Sequence, residues 1–420
     1  MSQESPFHIS LALALDGKGA ISRQAYDAAL HQADTALTWL KGQKLELLSI
    51  CAREDDLKAA AALLPAFRDG ATDIAVLGIG GSSLGGQALK ALAPHSALNV
   101  RFFDNPDPFT WADALSRYDL KKTRFVAISK SGGTAETMMQ ALTAAEALEK
   151  AGCNPARHFI VITEPHDSAL MKFAHSIKAP VLDHPTGIGG RYSVLSVVGM
   201  LPAMLMDLDP KAIRAGAQIA QDHVLKAATA AYAPAAMGAA LHHAMGERLR
   251  ETVLWAYADK LAVFGGWFRQ LWAESLGKDG KGSTPVGAVG PTDQHSQLQL
   301  FRDGPDGKLF TILSTDTKGK GPVASAVQAK ALGLDYLAGK PLGDLVDAEA
   351  RATAQTLSRN GRPVRQIHVP VIDEKSVGAL MMHFMLETIL MGRLMGVDPF
   401  DQPGVEEGKI LARQYLEKGE

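Results

Sequence analysis

Twice in its amino-terminal half the chain runs an apolar stretch straight into a glycine- and hydroxyl-rich turn, and then into a stretch of helical spacing. The first turn, GIGGSSLGG at 78–86, follows residues 74–78. The second, SKSGGTAET at 129–137, follows residues 124–129. Strand, turn and helix in that order form the unit of a parallel sheet, because parallel neighbours can be joined only by a crossover. Apolar runs at 100–103, 159–162 and 181–182 extend this first series. A second begins near Thr252 with TVLWAYA and continues with LFTILST at 309–315 and VRQIHVPVI at 364–372.

At 420 residues the chain exceeds the size at which one core usually stops growing. The expected organisation is an α/β fold of two αβα sandwich domains with mainly parallel central sheets, flanked by N-terminal and C-terminal helices. Its limits are a helical segment at 1–70, a first domain at 71–210, a helical connector at 211–250, a second domain at 251–395 and a terminal helix at 396–420. The apolar stretch 194–206 is too short for a bilayer and is interrupted by Ser196, Gly199 and Pro202, so it is expected as a buried helix.

Forty-three basic against 45 acidic side chains leave a net charge of −2. No global field then favours nucleic acid or a membrane, and an anionic ligand must be held locally. Cys51 and Cys153 are too few for a disulfide framework or a metal cluster. With an opening MSQESPFHIS that lacks the basic and apolar regions of a signal peptide, they lead to the expectation of a cytoplasmic protein.

Both turns suit a phosphate. Glycines let the backbone approach a ligand closely, and the free N–H groups of a helix start attract an anion. Ser82, Ser83, Ser129, Ser131 and Thr134 add hydroxyls without negative charge, and Lys130 adds a cation. Neither a dinucleotide fingerprint nor a GK[ST] loop is present, which disfavours nucleotides and hydride transfer. Taken singly, one turn would serve only close strand–helix packing and the other only a helix cap. Two loops converging at the carboxyl edge of one sheet point instead to a ligand.

The pair of loops resembles the phosphosugar-binding loops of the sugar isomerase (SIS) family, in the arrangement of its glucose-6-phosphate isomerase branch. Four further segments extend the resemblance: GIGGRYSVLS at 187–196, ESLGKDGKG at 274–282, GPTDQHSQLQLF at 290–301 and FDQPGVEEGK at 400–409. The resemblance implies two SIS-type domains and reversible isomerisation of an aldose and a ketose phosphate through an enediolate, as in glycolysis and gluconeogenesis. It implies Glu274 as the proton-shuttling base, Arg191 steadying the enediolate, and His295 and Lys409 opening the sugar ring. Gly81, Ser82, Ser129, Lys130, Ser131, Thr134, Gly190 and Gln402 would bind the substrate.

With Pro403 as an early helical position, Gln402 and Lys409 are expected on one face of a helix, two turns apart. The resemblance calls for no metal and no cofactor, since a carboxylate and an arginine can perform the chemistry. Because relatives receive the histidine from a neighbouring subunit, it also implies a homodimer with a shared active site. Gly132 and Gly133 depart from the bulkier residues of many animal members, which bears on substrate range. Two alternatives are an isomerase of another or a broader set of phosphosugars, and a silent phosphosugar sensor. The second would be expected to lack Glu274 or Lys409, and both are present.

Overall fold

In the computed structural model, which describes residues 4–94 and 98–419, the chain forms two five-stranded sheets. Residues 1–3 and 420, at the outer limits of the expected terminal segments, lie outside the described residues. The second sheet takes its first strand from the amino terminus: β1 (His8–Ser10) pairs antiparallel with β10 (Val364–Val369). The wholly helical reading of 1–70 is therefore corrected by one short edge strand. The first sheet comprises β2 (Asp73–Leu77), β3 (Asn99–Phe103), β4 (Thr123–Ile128), β5 (Phe159–Thr163) and β6 (Val181–Asp183). All its pairings are parallel, in the order β3-β2-β4-β5-β6.

The second sheet adds β7 (Glu251–Ala256), β8 (Thr284–Val289) and β9 (Lys308–Thr315), in the order β1-β10-β9-β7-β8. Apart from β1, its strands are parallel. The expected strands are all present, and β8 is additional. Its sequence TPVGAV carries Pro285 and Gly287, residues that argue against an interior strand. The sheet accommodates them because β8 is an edge strand.

In each sheet the chain leaves one strand to opposite sides. Connections from β2 lead to β3 and later to β4, which flank it, and those from β7 lead to β8 and later to β9. The crevices beyond the carboxyl ends of β2 and β7 are thus the points where a parallel sheet binds ligands. GIGGSS follows β2, and the helix Phe264–Leu276, which bears Glu274, follows β7.

One apolar core runs through both halves, joining Ile74 and Val126 of the first sheet to Leu254 and Ile367 of the second. Helix Glu374–Met395 passes through it, packed against helices Pro210–Leu225 and Pro234–Ala244 of the connector. Long and apolar enough to cross a bilayer, that helix instead has 89% of its most apolar window buried within the protein. The stretch 194–206 supplies buried helix Val197–Leu205, as expected.

Candidate active site

Close backbone approach brings the first two loops of the site together. A Cβ on Gly81 would lie 2.2 Å from the carbonyl carbon and oxygen of Gly190, so only glycine lets the turn after β2 rest on the turn that carries Arg191. The first loop also meets the other half of the protein, where the Gln270 side chain lies against Gly80. Gln270 Nε2 donates to Glu274 Oε2 at 3.0 Å, one turn along helix Phe264–Leu276. Gly80, Gln270, Glu274 and Gln402 line a single open cleft of about 760 Å³.

Arg191 lies at the back of this arrangement with its side chain only 2% exposed. Its Nε donates to Ser275 Oγ at 2.8 Å and Nη1 to Gln402 Oε1 at 2.8 Å. Nη2 donates to the carbonyls of Pro399 and Asp401 at 2.7 and 2.8 Å. A guanidinium has five N–H groups, so one remains, on Nη1. The nearest anion to that nitrogen is Glu274 Oε2, at 3.6 Å. Tyr192 OH also donates to Pro399 O and pairs with Ser275 Oγ, and burial pushes its phenol up to about 12, so it stays a neutral donor. Lys278 completes the grip on the same segment, bonding Asp401 Oδ1 at 2.8 Å and the Asp398 carbonyl.

The second loop, after β4, is braced from within. Ser129 is 2% exposed; its Oγ accepts from Gly132 N at 3.1 Å and pairs with Thr134 Oγ1 at 2.8 Å. Gly132 has φ +63°, the left-handed conformation glycine tolerates, and a Cβ there would strike Ser168 Oγ. Ser131 stays exposed, and its Oγ accepts from Gly133 N at 3.3 Å.

Residues 66–420 match the family model for phosphoglucose isomerase. The chain belongs to that family. It is 40% identical over 358 residues to the glucose-6-phosphate isomerase of Rubrobacter xylanophilus, covering 82% of each chain. A crystal structure of a hypothetical protein from Thermus thermophilus superposes with a TM-score of 0.87 at 32% identity, covering 98% of this chain and 99% of that one. A glucose-6-phosphate isomerase from Chlamydia trachomatis shares the fold, with a TM-score of 0.76 at 24% identity over 92% of this chain and 78% of its own.

Within this family member the candidate residues divide in two. Gly81, Gly190, Arg191, Glu274 and Gln402 are drawn together by the contacts above. Lys130 departs from the role expected for it, since Nζ donates to Thr186 O at 3.1 Å and lies 3.6 Å from Glu164 Oε1. The reason is sheet order: β4 and β5 are neighbours, which sets Lys130 beside Glu164 at the next strand's end. Gln402 and Lys409 do not share a helix face. Gln402 has φ −154° and ψ 64°, outside the helical region, as a residue before proline prefers, and helix Glu406–Lys418 starts only after the turn Pro403–Val405.

Lys409 instead pairs with Glu406 Oε1 at 2.7 Å on an exposed helix. His295 sits exposed on the short helix Thr292–Ser296, outside the residues lining the cleft. Sequence reasoning missed Gln270, Tyr192, Ser275 and Lys278. Gln270 was within reach, because a residue four positions before Glu274 on a helix lies on the same face. Tyr192 and Lys278 act through backbone carbonyls of 398–399, and Ser275 through the side chains of Arg191 and Tyr192, which no motif announces.

Proposed function

We propose that this protein interconverts glucose 6-phosphate and fructose 6-phosphate, the activity for which its relatives are named. The observation that carries the residue assignments is the Arg191–Glu274 arrangement: a partly exposed carboxylate, 24% accessible, facing a cleft beside a buried guanidinium with one uncommitted N–H. In the open-chain aldose, Glu274 takes the proton from C2 as the C2–H electrons form the enediolate double bond. Returning it to C1 completes the ketose, while a proton passes between the two oxygens. The free N–H on Nη1 of Arg191 meets the oxygen on which charge develops.

Ser82, Ser131 and the backbone N–H groups of the two turns hold the phosphate, with Ser129 and Thr134 keeping the second turn in shape. Lys130 acts indirectly, by tying that turn to Thr186. Ring opening falls to His295 and Lys409, both brought to the cleft in a homodimer, the histidine from the neighbouring copy. Exposed Ile410, Tyr415 and Leu416 on helix Glu406–Lys418 support such an assembly.

The deciding experiment incubates the protein with fructose 6-phosphate and follows glucose 6-phosphate. Glu274→Gln keeps the acceptor for Gln270 but removes the base. Its rate is expected to fall about a thousandfold or more, from acid–base contribution and lost positioning. Full activity in that variant would remove Glu274 from its role.

A further inference from the structure

At the carboxyl edge of the second sheet, three side chains form an unbroken hydrogen-bonded chain. Ser314 and His368 are paired across β9 and β10, each one residue before its strand ends, which puts their side chains on one face. Ser314 Oγ lies 3.0 Å from His368 Nδ1, and His368 Nε2 lies 3.0 Å from Oδ1 of Asp316, just past the end of β9. A carboxylate only accepts, so in the neutral ring the proton sits on Nε2 and Nδ1 is left to accept from the serine hydroxyl. These are the bonds of a nucleophile, its base and the group that orients the base, a constellation defined by geometry and not by order in the chain. The His368 and Asp316 side chains are 40% and 60% exposed and Ser314 is half-buried, so a solute can reach all three.

Two adjoining cavities open onto this chain. Ser314 and His368 line a small one of about 40 Å³, room for a group the size of a carbonyl. Asp347 and Arg351 line both it and a cleft of about 550 Å³, walled by Val323, Tyr336, Leu337, Leu342 and Leu345. Val323, Tyr336 and Leu342 are each more than half exposed, so the cleft offers apolar surface to a ligand. Arg351 gives Nε and Nη2 to Asp347 Oδ2 at 3.0 and 2.8 Å, while the two N–H groups of Nη1 have no partner among the described residues. The segment bearing Asp316 is fastened to the start of helix Leu342–Arg359, which bears Arg351. Thr317 Oγ1 donates to Gly343 O at 2.9 Å and Gly319 N to Asp344 Oδ1 at 2.7 Å.

The geometry points to a second, hydrolytic site here, acting on esters of short apolar acids, with Ser314 as nucleophile, His368 as base and Asp316 orienting the ring. Ser314 Oγ attacks the ester carbonyl carbon as its proton passes to His368 Nδ1, and Asp316 steadies the imidazolium. An N–H of Arg351 Nη1 meets the carbonyl oxygen as it gains charge. Collapse of the tetrahedral adduct breaks the bond to the leaving oxygen, which takes the proton from His368. Water then attacks the acyl-serine, its proton again passing through His368, and the free acid leaves with Ser314 restored. The acyl chain lies in the apolar cleft. Neither cavity shares a lining residue with the cleft around Glu274, so the site stands independently of the isomerase reading.

The test incubates the whole protein near neutral pH with 4-nitrophenyl acetate or 4-nitrophenyl butyrate and follows release of 4-nitrophenolate. Ser314→Ala and His368→Ala are each expected to lower the protein-dependent rate about tenfold or more. Both side chains bond only within this chain of three, so the variants keep the fold, which circular dichroism checks. Two added methylenes in the apolar cleft are expected to favour butyrate over acetate by about tenfold in kcat/KM, after allowance for the rates of the two esters with hydroxide. Diisopropyl fluorophosphate, which phosphorylates an activated serine with loss of fluoride, is expected to modify Ser314, located by mass spectrometry of the digested protein. A smaller fall in either variant overturns the proposal, as does no preference for butyrate, an unmodified Ser314, or hydrolysis no faster than in buffer.

Discussion

Replacing Arg191 by lysine keeps the charge and most of the stem but changes what the side chain can hold. The guanidinium reaches four acceptors in three directions: Ser275 Oγ, Gln402 Oε1 and the carbonyls of Pro399 and Asp401, all at 2.7–2.8 Å. A single ammonium nitrogen can serve one or two of these. Two or more charge-assisted hydrogen bonds are lost, each about 1.5–3 kcal/mol. Water returns part of that, because Asp401 and Gln402 are exposed, while Pro399 is buried.

A net loss of about 2–4 kcal/mol in docking segment 398–402 follows, which at 1.36 kcal/mol per decade is roughly 30- to 1000-fold. Because Gln402 lines the cleft and Arg191 faces Glu274, that loss is expected in kcat/KM for fructose 6-phosphate. Amide hydrogen exchange over 396–402 should rise in parallel, moderated by Lys278, which still holds Asp401. A lysine variant with kcat/KM within about threefold of the parent and unchanged exchange would refute the idea that this guanidinium organises the site.

Gly81→Ala drives a methyl into the Gly190 peptide, and the resulting shift of both turns is expected to lower kcat/KM by about a hundredfold, measured in the same assay. Glu387→Gln tests the buried pair with Arg365, which holds the carboxylate through Nη1 at 2.8 Å and has a side chain 1% exposed; urea titration should show a loss of about 3–5 kcal/mol, because the arginine's charge is left uncompensated. The same cluster makes the fold sensitive to acid. His242 is held neutral by burial, against the attraction of Glu387 and alongside the repulsion of Arg365, with its pKa drawn from 6.5 to about 4. The unfolded chain takes up that proton first, so stability is intact above pH 6.5 and falls as the pH drops toward 4, by roughly 3 kcal/mol from this residue. Melting temperatures recorded across that window check it, and a flat profile would contradict the burial argument.

Local pattern carried much of this protein. The run from each apolar strand into glycines and hydroxyls announced β2 and β4, and the ESLGKDGKG and GIGGRYSVLS segments carry Glu274 and Arg191, which the fold sets 3.6 Å apart. These features depend on neighbours in the chain, where strand alternation, helix starts and glycine conformations are decided. Strand β8 escaped notice because its proline and glycine are tolerated only at a sheet edge, and edge status depends on which strands come to lie alongside.

The same limit explains the site. That Arg191 is the clasp for 399–402, that Lys130 turns to Glu164, and that Gln402 stands outside the terminal helix all depend on carbonyls and carboxylates far away along the chain. Residue identity determined which groups could donate or accept charge. Only the packing of the two sheets about a shared core decided which of them meet, because a hydrogen bond is settled within a few tenths of an ångström and no sequence spacing records that distance.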